Sequence, residues 1–140
     1  SESGKAKATQ LAKELDLEIT YEVNSLEEFQ AKPESFDLLV LIFAHFPAEK
    51  RKAYHRHLIQ FLKPGGILIL EGFSKEHLKF NSVNDKAGGP KDLSILFSKE
   101  ELMDDFSEMG IQYLIEDTVN LNEGLYHIGD SAVIRLVAKK

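Results

Sequence analysis

Cysteine is absent from this chain, which excludes a disulfide scaffold, a thiolate metal site and a cysteine nucleophile. Long apolar runs are missing too. The longest, Leu38 to Ala44, falls far short of the roughly 20 residues that span a bilayer, so no membrane partner is expected. Basic clusters that could displace phosphate counterions are lacking, and 17 Lys plus Arg stand against 23 Asp plus Glu, a net charge of −6. Nonspecific nucleic-acid binding is therefore not expected. There is no His-Glu-x-x-His, no nucleophile elbow and no phosphate-loop lysine, so hydrolytic and metal-dependent chemistry has no support. Prolines number only four and fall between periodic segments, and no repeat or linker divides the 140 residues. A hydrophobic share of 43% beside 29% charged residues argues against disorder. The expectation is one globular domain over residues 1–140, in the cytoplasm.

The periodicity predicts an α/β unit. Gly4 to Leu15 puts Ala8, Leu11, Ala12 and Leu15 on one helical face. Ile19 to Val23 alternates like a half-exposed edge strand, and Ser25 to Glu28 reads as a capping box that opens a short helix. Asp37 to Phe43 is almost continuously apolar, as expected of a parallel strand covered on both faces. Pro47 starts a helix whose buried stripe is Tyr54, Leu58, Phe61 and Leu62, with Glu49, Lys50, Arg51, Arg56 and Gln60 facing water. Lys63-Pro-Gly-Gly66 stops it ahead of a second buried strand, Ile67 to Leu70.

Ser74 to Lys91 has few apolar anchors, and an uncommitted stretch of that length points to a functional lid or binding loop. Ser98 to Glu101 is another capping box, followed by Leu102, Met103, Phe106 and Met109 at helical spacing until Gly110. Ile111 to Val119 and Ala132 to Ala138 close the chain. Their connector is too short for a crossover helix, so an antiparallel hairpin is expected.

In open parallel sheets ligands bind beyond the carboxyl ends of the strands. Those ends are Asn24-Ser25, Phe43-Ala44-His45 and Glu71-Gly72-Phe73. Each has a plainer reading: Ser25 as a helix cap, His45 as a donor to a loop carbonyl, Glu71 as a solvated strand end. Polar groups at all three ends together favour a site. Of the other histidines, His55 and His57 stand two apart on a helix, point to different faces and are read as surface residues. His77 falls in the loop and His127 in the hairpin connector, neither with a partner identifiable by spacing.

Phe36-Asp-Leu-Leu-Val-Leu-Ile-Phe-Ala-His-Phe-Pro47, then His55-Arg-His-Leu-Ile-Gln-Phe-Leu-Lys-Pro-Gly-Gly66 leading into Ile-Leu-Ile-Leu-Glu-Gly-Phe-Ser74, resembles class I S-adenosylmethionine-dependent methyltransferases. Gly88-Gly-Pro-Lys91 and Tyr126-His-x-Gly129 are similar to the tellurite-resistance-like branch. The resemblance implies a Rossmann-like α/β methyltransferase sheet with an antiparallel C-terminal hairpin. It also implies S-adenosyl-L-methionine as cofactor and a small-molecule methyl acceptor. The family's opening strand and Gly-rich turn have no match here, so the resemblance implies a sheet truncated at the N-terminus, part of a longer parent enzyme.

Carried over by position, Asn24, Ser25 and Leu26 would hold the adenine, with Ser25 where the family commonly has Asp. A hydroxyl is a weaker acceptor than a carboxylate. Phe43 and His45 would line the pocket near the sulfonium. Glu71, Phe73, Lys91 and His127 would face the acceptor, with His45 and His127 the candidate catalytic histidines. The alternative is a non-catalytic interaction module that self-associates through an exposed sheet edge. A receiver-like or nicotinamide-binding domain is disfavoured by the terminal hairpin and the absent phosphate-binding glycines.

Overall fold

A computed structural model describes residues 1–140, which form two compact units, residues 1–30 and 31–140, each taken by itself. In the first, Ser1 caps helix α1 (Glu2–Glu14) by accepting the Gly4 N–H at 3.2 Å, and Leu17 N–H returns to the Ala12 carbonyl at 2.8 Å. Leu11, Leu15, Leu17 and Ile19 stay about half exposed. Residues 19–23 run extended but belong to no sheet, which corrects the expected edge strand. Alternation alone makes no strand without a ladder partner for its N–H and C=O groups. The Ser25 cap forms, with Oγ accepting the Glu28 N–H at 3.3 Å and donating to its carboxylate at 3.0 Å. It closes only a single turn, not the helix expected.

The second unit is built on a four-stranded sheet of β1 (Phe36–Ile42), β2 (Leu62–Phe73), β3 (Gly110–Asn122) and β4 (Ile128–Lys139), in the order β1-β2-β4-β3. β1 runs parallel to β2, while β4 is antiparallel to both β2 and β3, so the expected terminal hairpin forms. Side chains alternate between faces along each strand. Leu41, Leu68, Leu70, Ile134, Leu136 and Ala138 share the buried face with Leu58 and Ile59 of α2 (Ala48–Ile59) and Leu102 of α4 (Lys99–Asp105).

The opposite face is covered where Phe73 and Val133 are buried, but bare along β1. Leu38, Val40 and Ile42 of β1 are 50%, 48% and 53% exposed, and their register partners Ile67, Ile69 and Glu71 lie beside them. β1 was expected to be covered on both faces; it is an edge strand with one bare apolar face.

α2 departs from its expected stripe. Arg51 is 8% exposed and His55 is fully buried, although both were read as facing water. Their reason is Asp105 on α4, which accepts Arg51 Nε–H at 2.7 Å and lies 2.8 Å from His55 Nδ1. A charge buried with its partner escapes the penalty an isolated one would meet. The Ser98 capping box closes in both directions, and its Glu101 also receives Lys75 and Arg51.

Residues 74–91 are not uncommitted. They fold as a turn at Lys75–His77, a short α3 (Leu78–Asn81) and a second turn at Asp85–Ala87, with Ser74, His77, Asn81 and Ala87 buried.

Candidate functional site

The carboxyl end of β1 meets that of β2 through the Phe43 N–H, which donates to the Glu71 carbonyl at 2.7 Å. Phe43 itself takes a left-handed backbone (φ 49°), as does His127 (φ 57°) just before β4. A bulky non-glycine residue in that region is strained, and such outliers concentrate at functional sites. The two strained residues touch: their rings meet edge to face at 4.4 Å.

Phe73, at the end of β2, lies beneath both. Its ring is 4.6 Å from Phe43, 5.1 Å from His127 and 4.0 Å from His77, which stacks on it. His45 stacks on Phe97 at 4.4 Å. Phe43, His45, Phe73 and His127, singled out from sequence, are thus gathered into one aromatic cluster.

His45 has both ring nitrogens engaged. The Ile95 carbonyl, 2.9 Å from Nδ1, can only accept, so Nδ1 carries the proton, and Nε2 accepts the Phe73 N–H at 3.0 Å. Burial pushes its pKa below 6.5, aided by the nearby His77, His127 and His55 and opposed by the Ile95 carbonyl. His45 is therefore a neutral imidazole that ties the β2 end to the Ile95 loop. His77, read from sequence as an unpartnered loop residue, is fully buried, and its Nε2–H donates to the Gly88 carbonyl at 3.0 Å. Burial lowers its pKa as well, with His127 adding to the effect against the Gly88 hydrogen bond. His127 differs in keeping 26% of its side chain exposed, with Nδ1 3.5 Å from the Glu123 carboxylate.

The remaining acceptor-side candidates are held by other partners. Glu71 receives Arg135 Nε–H of neighbouring β4 at 2.7 Å, and that hydrogen bond raises the Arg135 pKa. Lys91 reaches Asp85 at 2.5 Å, and its hydrogen bond and charge hold the Asp85 carboxyl below its usual range. Asn24 and Ser25 are exposed in the first unit, where Asn24 donates to Glu22 and Ser25 serves Glu28, while Leu26 is half buried.

Glycines set the close approaches. A Cβ on Gly72 would stand 2.5 Å from the Phe97 ring. One on Gly89 (φ 77°) would stand 2.7 Å from Phe73, and one on Gly88 (φ 70°) 2.9 Å from His127. The Gly88-Gly89-Pro90 turn is thus a strap laid over the cluster, and only glycine allows its backbone so near two rings. Asn81, buried, donates to the Gly88 and Pro90 carbonyls at 3.2 and 2.9 Å, and Asn84 donates to the Ile128 carbonyl at 2.9 Å. Neither asparagine, nor the burial of His77, was read from the sequence. The one available signal was the Gly-Gly pair, which demands something close to it.

A family model described as a methyltransferase domain matches residues 1–66. No curated protein matches the chain by sequence. Among solved structures the chain is similar in fold to TehB from Haemophilus influenzae, at TM-score 0.71 and 16% identity over 100% of this chain and 47% of that one. It is also similar to a SAM-dependent methyltransferase from Methanosarcina mazei, at TM-score 0.64 and 15% identity over 85% and 66%. A third, a SAM-dependent methyltransferase from Aquifex aeolicus, gives TM-score 0.62 and 15% identity over 94% and 61%. The chain spans from 47% to 66% of the length of these three structures.

Proposed function

We propose that this chain, which has the fold of the class I S-adenosylmethionine-dependent methyltransferases, is the later portion of an enzyme that transfers a methyl group to a small-molecule acceptor. Its reacting centre is proposed at the carboxyl ends of β1 and β2. The observation that carries this reading is the contact of two left-handed residues, Phe43 and His127, over the Phe73 ring.

The residues present fit the reacting end of the cofactor. An aromatic face such as Phe43 attracts a cation, as a sulfonium is. Asn24, Ser25 and Leu26, the candidates for the adenine, belong to the first unit. No Gly-rich turn for the methionine part follows a strand here. The left-handed glycines are Gly65, Gly88, Gly89, Gly124 and Gly129, in the approach to β2, the strap and the hairpin. The bare face of Leu38, Val40 and Ile42 supports further elements packed on β1, since burying each such side chain is worth about 1.5–3 kcal/mol.

Bound S-adenosylmethionine supplies an electrophilic methyl on a good leaving group. The protein's part is then alignment and exclusion of water. Phe43 lines the donor side, and Phe73 supports it from beneath. His45 holds the β2 end in place through its two hydrogen bonds. His127, oriented by Glu123, takes a proton from the acceptor at Nε2 where one must leave. Glu71, fixed by Arg135, and Lys91, beside Asp85, face the acceptor's polar groups.

A second reading, a non-catalytic module pairing through the β1 edge, draws on the same bare face. Isothermal titration of S-adenosylmethionine into the full-length gene product separates them. Saturable binding that weakens about tenfold in Phe43→Ala is expected, a loss of roughly 1.4 kcal/mol. A full-length product that binds nothing overturns the enzyme reading.

A further inference from the structure

We infer that Asn81 and Asn84 form a clamp that positions the His127 imidazole, an inference that rests on His127 facing the acceptor. His127 is held from three sides. On one, its ring meets Phe43 and Phe73. On the second, Gly88 stands so near that a Cβ there would be 2.9 Å from His127 Cδ2. On the third, the next peptide is fixed where Asn84 Nδ2 donates to the Ile128 carbonyl at 2.9 Å.

The asparagine amides are placed for their donors. Asn81 Nδ2 meets two carbonyls, Gly88 and Pro90, whereas its buried Oδ1 has no partner. Carbonyls can only accept, so the amide orientation is fixed by chemistry. Asn84 uses both ends: Oδ1 accepts the Lys86 N–H at 3.1 Å and Nδ2 faces Ile128. His77 adds its Nε2–H to the Gly88 carbonyl. A short segment thereby grips the strap through Asn81 and the Ile128-Gly129 peptide, one residue beyond His127, through Asn84. A left-handed histidine persists only where its surroundings over-determine it, and the clamp is that surrounding.

Histidine-selective NMR of the 140-residue chain tests the clamp without any methyl transfer. Asn84→Asp keeps shape and the Lys86 acceptor but loses the donor to Ile128. Asn81→Asp likewise loses the donor to Gly88 and Pro90. In each, the His127 ring resonances are expected to lose the ring-current displacement given by Phe43 and Phe73. Those of His45, locked by Ile95 and Phe73, stay in place. His127 resonances unmoved in both variants overturn the clamp, as does equal movement of His45 and His127, which marks general loosening. If Asn84→Asp does not fold, Asn84→Ser repeats the comparison without added charge. In the full-length product the same variants are expected to lower kcat about a hundredfold with KM unchanged, the effect of an ångström-scale misplacement. Displaced His127 resonances with intact kcat would support the clamp while overturning the assignment of His127 to the acceptor.

Discussion

Replacing Asp105 by Asn keeps the side-chain volume and removes one charge from the α2–α4 contact. Burial pushes the Asp105 carboxyl up, but hydrogen bonds from His55 and Arg51 outweigh it, so the pKa lies below 3.8 and the group is ionised in the fold. The variant leaves the Arg51 guanidinium, 8% exposed, with Glu101 at 3.2 Å as its remaining carboxylate. Removing one partner of a buried pair costs about 3–5 kcal/mol. Against a total stability of about 5–15 kcal/mol, that is a fifth or more. Thermal melts at pH 7 should then show Tm lower by about 10 °C or more. The pH dependence has a definite sign. A depressed folded-state pKa contributes stability that is present above 3.8 and is lost as pH falls through the lower folded value. The wild-type advantage over Asp105→Asn should therefore shrink in acid. A variant within about 1 kcal/mol of wild type at neutral pH, below the range for a broken buried pair, would refute the reasoning, as would a gap that stays constant into strong acid.

Three further outcomes are expected. His45 and His77 both have folded-state pKa values below 6.5, so the unfolded chain binds more protons below that pH. Urea unfolding should show stability full above pH 6.5 and falling below it, and His77→Phe should flatten the fall; a wild-type profile level from pH 7 to 5 would contradict this. Gly89→Ala sets a Cβ 2.7 Å from the Phe73 ring at φ 77° and should cost about 2 kcal/mol or more in chemical denaturation. The 140-residue chain should self-associate through its bare β1 face in sedimentation velocity. Val40→Lys, placed at the centre of that face, should shift it toward monomer.

Elements with strong local signals were legible. The apolar run at 37–43, the Ser98 capping box and the hairpin all form within a few residues of their expected bounds, because each is specified by neighbours in sequence. Ile19 to Val23 failed for the complementary reason: its alternation describes a face, and a strand also needs a neighbour to bond with. Residues 74–91 looked loose because their anchors are polar. Asn81, Asn84 and His77 pin the segment through hydrogen bonds to carbonyls, and hydrophobic periodicity carries no trace of such bonds.

The histidines show where residue type stops being informative. His55 and His77 are buried, and His45 half-buried, beside phenylalanine rings, yet the sequence marks His45 as a strand end, His55 as a helix surface and His77 as a loop. What separates them is the second nitrogen: engaged on both sides in His45, buried without a partner in His55 and His77, and carried in His127 on a ring that stays partly exposed. A proton acceptor needs a nitrogen that substrate can reach, and burial removes His55 and His77 from that role whatever their charge state. The same packing makes them useful in another way. A neutral imidazole stacked on Phe73 fills the space of a small aromatic while still bonding the Gly88 carbonyl, which no phenylalanine could do. The cluster is therefore apolar in shape and polar at chosen points, and that combination lets a strap of two glycines lie over it and hold His127 at the rim.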